Sequence, residues 1–165
     1  MEQLIDDYGE YLYHLSYLYV KDRQLAEEIT QDVLMKYSKS KEQYRAEATI
    51  KTYLTRILIN CCHDELRKQK RRKLLAWLLP SGRSEMSAET SYLQGELYQT
   101  LKAHVFALPV HYREVIVLFY YEEFSVEEIA TLLALSENTI RTRIRRAREL
   151  LKKNHELEGM YYERI

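Results

Sequence analysis

The sequence predicts an all-α chain of two small helical domains joined by a linker, the C-terminal domain a helix-turn-helix. Three observations carry this. Only four Gly and two Pro interrupt 165 residues rich in helix-forming side chains. Apolar residues recur at intervals of three and four through most of the chain. The sole Pro-Ser-Gly punctuation, in "LLAWLLPSGRSEMSAETS", separates two such periodic regions.

Taken in order, Leu4, Tyr8, Leu12, Leu15 and Tyr19 mark a first amphipathic helix whose aromatic side chains suit a core. Asp22 is placed to cap a second helix from about Gln24 to Ser38, with Leu25, Ile29, Val33 and Tyr37 inward. Its other face shows Glu27, Glu28, Gln31 and Asp32. "KSKEQYRAEAT" is polar and irregular, a loop. A third helix starts at Ile50 and is expected to end near Lys73. With Leu54 at the centre of the buried stripe, Ile57, Leu58 and Cys61 fall within about 60° of it. Arg56, Asn60, His63 and Arg67 fall opposite, a polar row leading into "RKQKRRK". Glu65 lands near the apolar stripe and fits this division poorly.

After the linker a helix is expected from about Ala88 to Ala107, ended by Leu108-Pro109, and another over Tyr112 to Tyr121. Ser125 and Glu128 form a capping box, and Ile129, Leu132 and Leu133 give the short helix behind it a buried face. "ALS" makes a tight turn, and Ser136 caps a basic helix reaching about Lys153. Along that helix Ile140, Ile144, Ala147 and Leu151 point inward. Asn138, Thr142, Arg145 and Glu149 lie opposite, flanked by Arg141 and Arg146. A basic helix behind a capped helix and a short turn is the geometry that enters a DNA major groove, where arginine can pair with guanine or with phosphate.

Charge supports the division. The formal net charge is zero, yet residues 1–50 carry six basic and ten acidic side chains and residues 51–80 eight against two. Residues 81–140 carry three against nine, and 141–165 eight against four. Two cationic blocks alternating with two acidic ones suit two polyanion-facing surfaces and others that meet protein. No apolar stretch is long enough to cross a bilayer and no apolar run follows a basic start, so the chain is expected to be cytoplasmic without direct membrane insertion.

"INCCHDEL" invites a metal or thiol reading. Adjacent helical residues point about 100° apart, so Cys61, Cys62 and His63 do not readily close on one ion. No second Cys/His pair stands at zinc-like spacing, and no strained glycine turn presents a nucleophile. No catalytic residue, metal or cofactor is therefore expected. A basic helix-turn-helix behind a separate N-terminal domain also fits a stand-alone DNA-binding regulator with an N-terminal sensor.

Two stretches resemble the extracytoplasmic-function sigma factors of bacteria. "LPVHYREVIVLFYYEEFSVEEIATLLALSENTIRTRIRRARELL" is similar to the family pattern L-P-x-x-x-R-E-V, S-x-x-E-I-A and T-[VI]-[KR]-[ST]-R-[IL]-x-R-A-R. "LAEEITQDVLMKYSK" with "IKTYLTRILINCCHDELRKQKRR" is similar to A-E-[DE]-x-x-Q-[DE]-[VA]-[FL] and to S-[FL]-x-x-[WY]-L-x-x-I-[AL]-x-N-x-x-x-D-x-[LI]-R. The resemblance spans about residues 4 to 152.

It implies a specificity subunit of RNA polymerase: residues 1–75 a region 2 domain, 76–88 a linker, and 89–165 a region 4 domain. Glu27, Glu28, Gln31 and Asp32 would meet the polymerase clamp, acidic and amide groups suiting a protein partner. Tyr44, Thr49, Lys51, Arg56, Asn60, His63 and Arg67 would read and open the −10 element. Melting at about 1–2 kcal/mol per stacked step needs no catalytic group where the unpaired strand is captured. Asn138, Thr139, Arg141, Thr142, Arg145 and Arg146 would read the −35 element. Asn138 departs from the family's glycine, Thr49 from its serine and Tyr44 from its phenylalanine. Implied partners are core RNA polymerase, promoter DNA and an anti-sigma factor.

Overall fold

The computed structural model describes residues 2–40, 49–78 and 96–162, with side chains over 3–40, 49–75 and 102–153. Among the described residues there is no strand. The chain divides into two compact units, Met1–Thr90 and Ser91–Ile165.

The first unit contains α1 (Glu2–Val20), α2 (Arg23–Ser40) and α3 (Ile50–Leu78). Leu12, Leu15, Ala26, Ile29, Val33, Leu54, Leu58 and Ile59 are buried together, so all three helices contribute to one core. The break between α1 and α2 is made locally. Lys21 adopts a left-handed φ of 58° and its amide closes on the Tyr17 carbonyl at 2.9 Å. Asp22 then accepts from the Leu25 amide at 2.9 Å, the predicted cap. α3 runs to Leu78, past the predicted end near Lys73, because nothing in "KLLAWL" breaks a helix. It thereby takes in 76–78 of the predicted linker; residues 79–88 of that linker lie outside the described residues, as do 88–95 of the helix expected from Ala88.

The second unit contains α4 (Glu96–Ala107), α5 (Val110–Ile116), a π-helical turn (Val117–Tyr121), α6 (Val126–Leu133) and α7 (Glu137–Tyr162). Arg113, buried in α5, donates through Nη1 to the carbonyls of Phe106 and Leu108, satisfying the end of α4. The capping box is formed as predicted: the Glu128 amide donates to Ser125 Oγ at 3.1 Å, and the Ser125 amide to Glu128 Oε2 at 2.8 Å. Ile129 and Leu132 are buried, whereas Leu133 is half-buried and Ala130 takes its place in the core. The turn at 134–136 is the predicted one, with Ala134 left-handed at φ 53° and ψ 46°. Ile140, Ile144 and Ala147 pack inward from α7 as the period requires. α7 continues to Tyr162 rather than stopping near Lys153.

Candidate partner and nucleic-acid interfaces

Three exposed faces answer to the sequence-predicted sites. The first lies on α2. Glu27, Glu28, Gln31 and Asp32 are all exposed on the side away from Ala26, Ile29, Thr30 and Val33. Gln24 donates to Glu28 at 3.2 Å. An acidic, amide-bearing patch on one helix suits a basic protein surface.

The second face lies on α3. Arg56, Asn60 and Arg67 are exposed and His63 is half-buried, its ring edge-on to Tyr19 with centroids 5.8 Å apart. The buried arc includes Leu54, Thr55, Leu58, Ile59, Cys61 and Cys62, while Ile57 is only half-buried. Its centre therefore lies about 60° round from Leu54, toward Leu58 and Cys62. That rotation brings Cys62, outside the arc expected around Leu54, to full burial, and it leaves Asn60 rather than the whole row pointing straight out. Thr49 is exposed but its hydroxyl caps α3, accepting from the Thr52 amide at 3.1 Å. Lys51 stands over the Tyr11 ring at 4.9 Å, and Tyr11 Oη is hydrogen-bonded to Thr55. Tyr44 lies outside the described residues.

Below this face the basic run is partly self-compensated. Arg67 pairs with Asp64 at 3.1 Å. Lys68 and Arg72 both reach Glu65, at 3.3 and 3.7 Å, which explains how a carboxylate near the apolar stripe is tolerated with its side chain only 13% exposed. Lys70, Arg71 and Lys73 are exposed. Cys61 and Cys62 are in no disulfide, and among the described residues no three His, Cys, Asp or Glu are grouped to hold a metal. Lys36 Nζ donates to Cys61 Sγ at 3.2 Å, and this contact, ahead of the charge on that sulfur, raises the lysine's pKa above its ordinary 10.5.

The third face is on α7. Asn138, Arg141, Arg145 and Arg146 are exposed, and Thr139 and Thr142 half-buried. Thr139 belongs to the helix start: its amide donates to Ser136 Oγ at 3.2 Å and the two hydroxyls bond at 2.8 Å. Arg141 pairs with Glu137 at 3.1 Å and Arg145 with Glu149 at 2.8 Å, each within the helix. Such exposed pairs are weak enough for a phosphate or base to displace. Two arginines of the same run behave differently. Arg143 pairs with buried Glu114, and Arg148 lies on Tyr120. Periodicity assigns Arg143 to the flank of the core, but its partner, on α5, is not readable from spacing.

Family models match both units. Residues 4–72 match sigma-70 region 2 and residues 107–151 match sigma-70 region 4. The chain is similar to the RNA polymerase sigma factor SigV of Bacillus subtilis (strain 168), 32% identical over 152 residues that cover 90% of this chain and 86% of that protein. It is also similar to the ECF RNA polymerase sigma factor SigW of the same organism, 30% identical over 163 residues covering 91% and 86%. In fold it is similar to the sigma factor RpoE of Bartonella quintana, solved with the anti-sigma factor NepR. That match has a TM-score of 0.74 at 24% identity, over 94% of this chain and 96% of that one. No helix among the described residues is long and apolar enough to cross a membrane.

Proposed function

Because the chain belongs to the extracytoplasmic-function sigma factors, promoter-specificity subunits that bind core RNA polymerase, we propose how its residues divide that work. Residues 1–75 form the domain that meets the polymerase clamp and opens the −10 element, 76–88 the linker, and 89–165 the domain that reads the −35 element. Glu27, Glu28, Gln31 and Asp32 dock on the clamp. Arg56, Asn60, His63 and Arg67, with Thr49 and Lys51 at the start of the helix and Tyr44 earlier in the sequence, capture the opened strand. Asn138, Arg141, Thr142, Arg145 and Arg146 contact the −35 duplex, and Thr139 serves chiefly by fixing the helix entry. The subunit acts in the cytoplasm and has no catalytic site of its own. An anti-sigma factor is its regulatory partner, the kind of protein with which the Bartonella quintana factor was crystallised.

The observation that carries this reading is the two-sidedness of the first unit. An acidic face on α2 and an Arg/Asn face on α3 are both exposed, while the inward sides of the same helices share one core. A partner protein and a nucleic acid can therefore be held at once by a single rigid body.

The test is run-off transcription by core enzyme with and without the chain, paired with a permanganate footprint of opened thymines. Asn60→Ala is expected to lose most promoter opening while core binding and the melting temperature stay at wild-type values. If core enzyme plus the wild-type chain starts at no promoter, the reading fails. If Asn60→Ala opens promoters normally, its assignment to the opened strand fails.

A further inference from the structure

We propose that Arg148, held by Tyr120, is a backbone-phosphate contact to the duplex that flanks the −35 element. The inference rests on α7 being the recognition helix and extends its grip beyond Arg146.

Arg148 and Tyr120 are both exposed, Tyr120 at 47%, and lie 28 residues apart. The guanidinium carbon sits 5.3 Å from the centroid of the Tyr120 ring, and Nε donates to Tyr120 Oη. One phenol thus engages the cation by its face and by its hydroxyl. Tyr120 is brought there by the π-helical turn that follows α5, a distortion that often marks a functional position.

The nature of the partner distinguishes Arg148 from its neighbours. Arg141 and Arg145 are paired with carboxylates, so an incoming phosphate must displace Glu137 or Glu149. A phenol, unlike the carboxylates that hold Arg141 and Arg145, brings no formal negative charge to set against a cation. It restrains the guanidinium without cancelling its charge, so a phosphate meets a side chain already ordered and still fully cationic.

Position selects phosphate over base. Arg141, Arg145 and Arg148 follow one another at spacings of four and three, a row along one edge of α7. Arg148 lies about 10.5 Å beyond Arg141 along the axis and about 100° round from the line of Asn138, Thr142 and Glu149. A side chain at that angle meets the wall of the groove, where the sugar-phosphate backbone runs, when the central line faces the bases.

The experiment measures binding of holoenzyme, made from core polymerase and the full chain, to a promoter fragment over a range of KCl concentrations. Arg148→Gln is expected to lower the slope of log K against log salt by about 0.9, one phosphate's worth, and to weaken all base variants of the −35 element alike. Tyr120→Phe, which keeps the ring and loses the hydroxyl, is expected to weaken binding roughly threefold with the slope unchanged. Arg148→Lys preserves the charge and should preserve the slope, and it decides the matter should Arg148→Gln fail to fold. An unchanged slope in folded Arg148→Gln overturns the proposal. So does a change of preference at a single base pair, or a slope lost in Arg148→Lys. Arg146→Gln separates the two levels of inference: if it weakens binding and Arg148→Gln does not, only the present proposal falls. If neither matters, α7 is not the recognition helix.

Discussion

Arg143 Nη1 donates to Glu114 Oε1 at 3.0 Å, joining the middle of α7 to α5 through an ion pair whose glutamate side chain is 4% exposed. The arginine is 24% exposed, so the pair sits at the edge of the core rather than within it. It anchors the inward side of α7 while Arg141, Arg145 and Arg146 stay outside. The helix-turn-helix is in this way held from beneath by a charge of the same type as those exposed along its outer side.

Removing one partner leaves the other charge poorly solvated. Arg143→Met is expected to destabilise the second unit by about 2–4 kcal/mol, the lower end reflecting the exposure of the arginine. The double variant Glu114→Leu with Arg143→Met should recover most of that loss. Native-state hydrogen exchange of α5 and α7 amides reads both. Equal protection in Arg143→Met and wild type would show the pair to be incidental.

Ala134 offers the opposite case, a position where the native residue is not the best one. Its φ of 53° places Cβ against the carbonyl oxygen, at the C-terminal end of α6 where glycine is commonest. Ala134→Gly relieves that clash but adds freedom to the unfolded chain, leaving a net gain of about 0.5–1 kcal/mol. A urea midpoint at or below that of wild type would show that the turn is held by the packing around it and not by the backbone of Ala134.

The caps at Asp22, Ser125 and Ser136 were legible because each is closed by an amide three residues away. The three exposed faces were legible for a similar reason, since a helical period assigns them once a core residue is known. What spacing could not deliver was the exact direction of α3. That helix packs against both α1 and α2, so its buried arc is wide, and it includes Thr55 and Cys62, which no hydrophobic pattern singles out. Arg143–Glu114, Arg148–Tyr120 and Lys36–Cys61 are separated by 29, 28 and 25 residues and exist only once the helices have docked.

The rotated arc of α3 has a measurable consequence at the adjacent cysteines. Cys62 is 0% exposed and Cys61 7%. Serine at position 62 puts a smaller, more polar atom where a fully enclosed site is filled by sulfur, at a cost of about 1–3 kcal/mol. Cys61→Ser should cost less, because Lys36 Nζ stands beside that atom and can donate to oxygen as it does to sulfur. Thermal unfolding of the two variants ranks them. A larger loss in Cys61→Ser than in Cys62→Ser would return the centre of the stripe to Leu54.

The Lys36–Cys61 contact also links α2 and α3, since Lys36 lies one turn beyond Asp32 on the first and Cys61 follows Asn60 on the second. Because the folded-state pKa of Lys36 is raised above 10.5, its contribution to stability is fully present below that value and is lost as pH climbs through the raised one. The main cause is the hydrogen bond to Cys61, with the charge on that sulfur second and desolvation opposing both. Cys61→Ala removes the two leading causes, so Lys36 should titrate at lower pH in the variant than in wild type, by NMR of the lysine side chain. The stability gap between the two proteins should narrow as the pH climbs through the raised value, where Lys36 loses its proton in wild type. Identical Lys36 titrations in the two proteins would mean that the sulfur does not hold the ammonium in solution, and that α2 and α3 are joined at this point by packing alone.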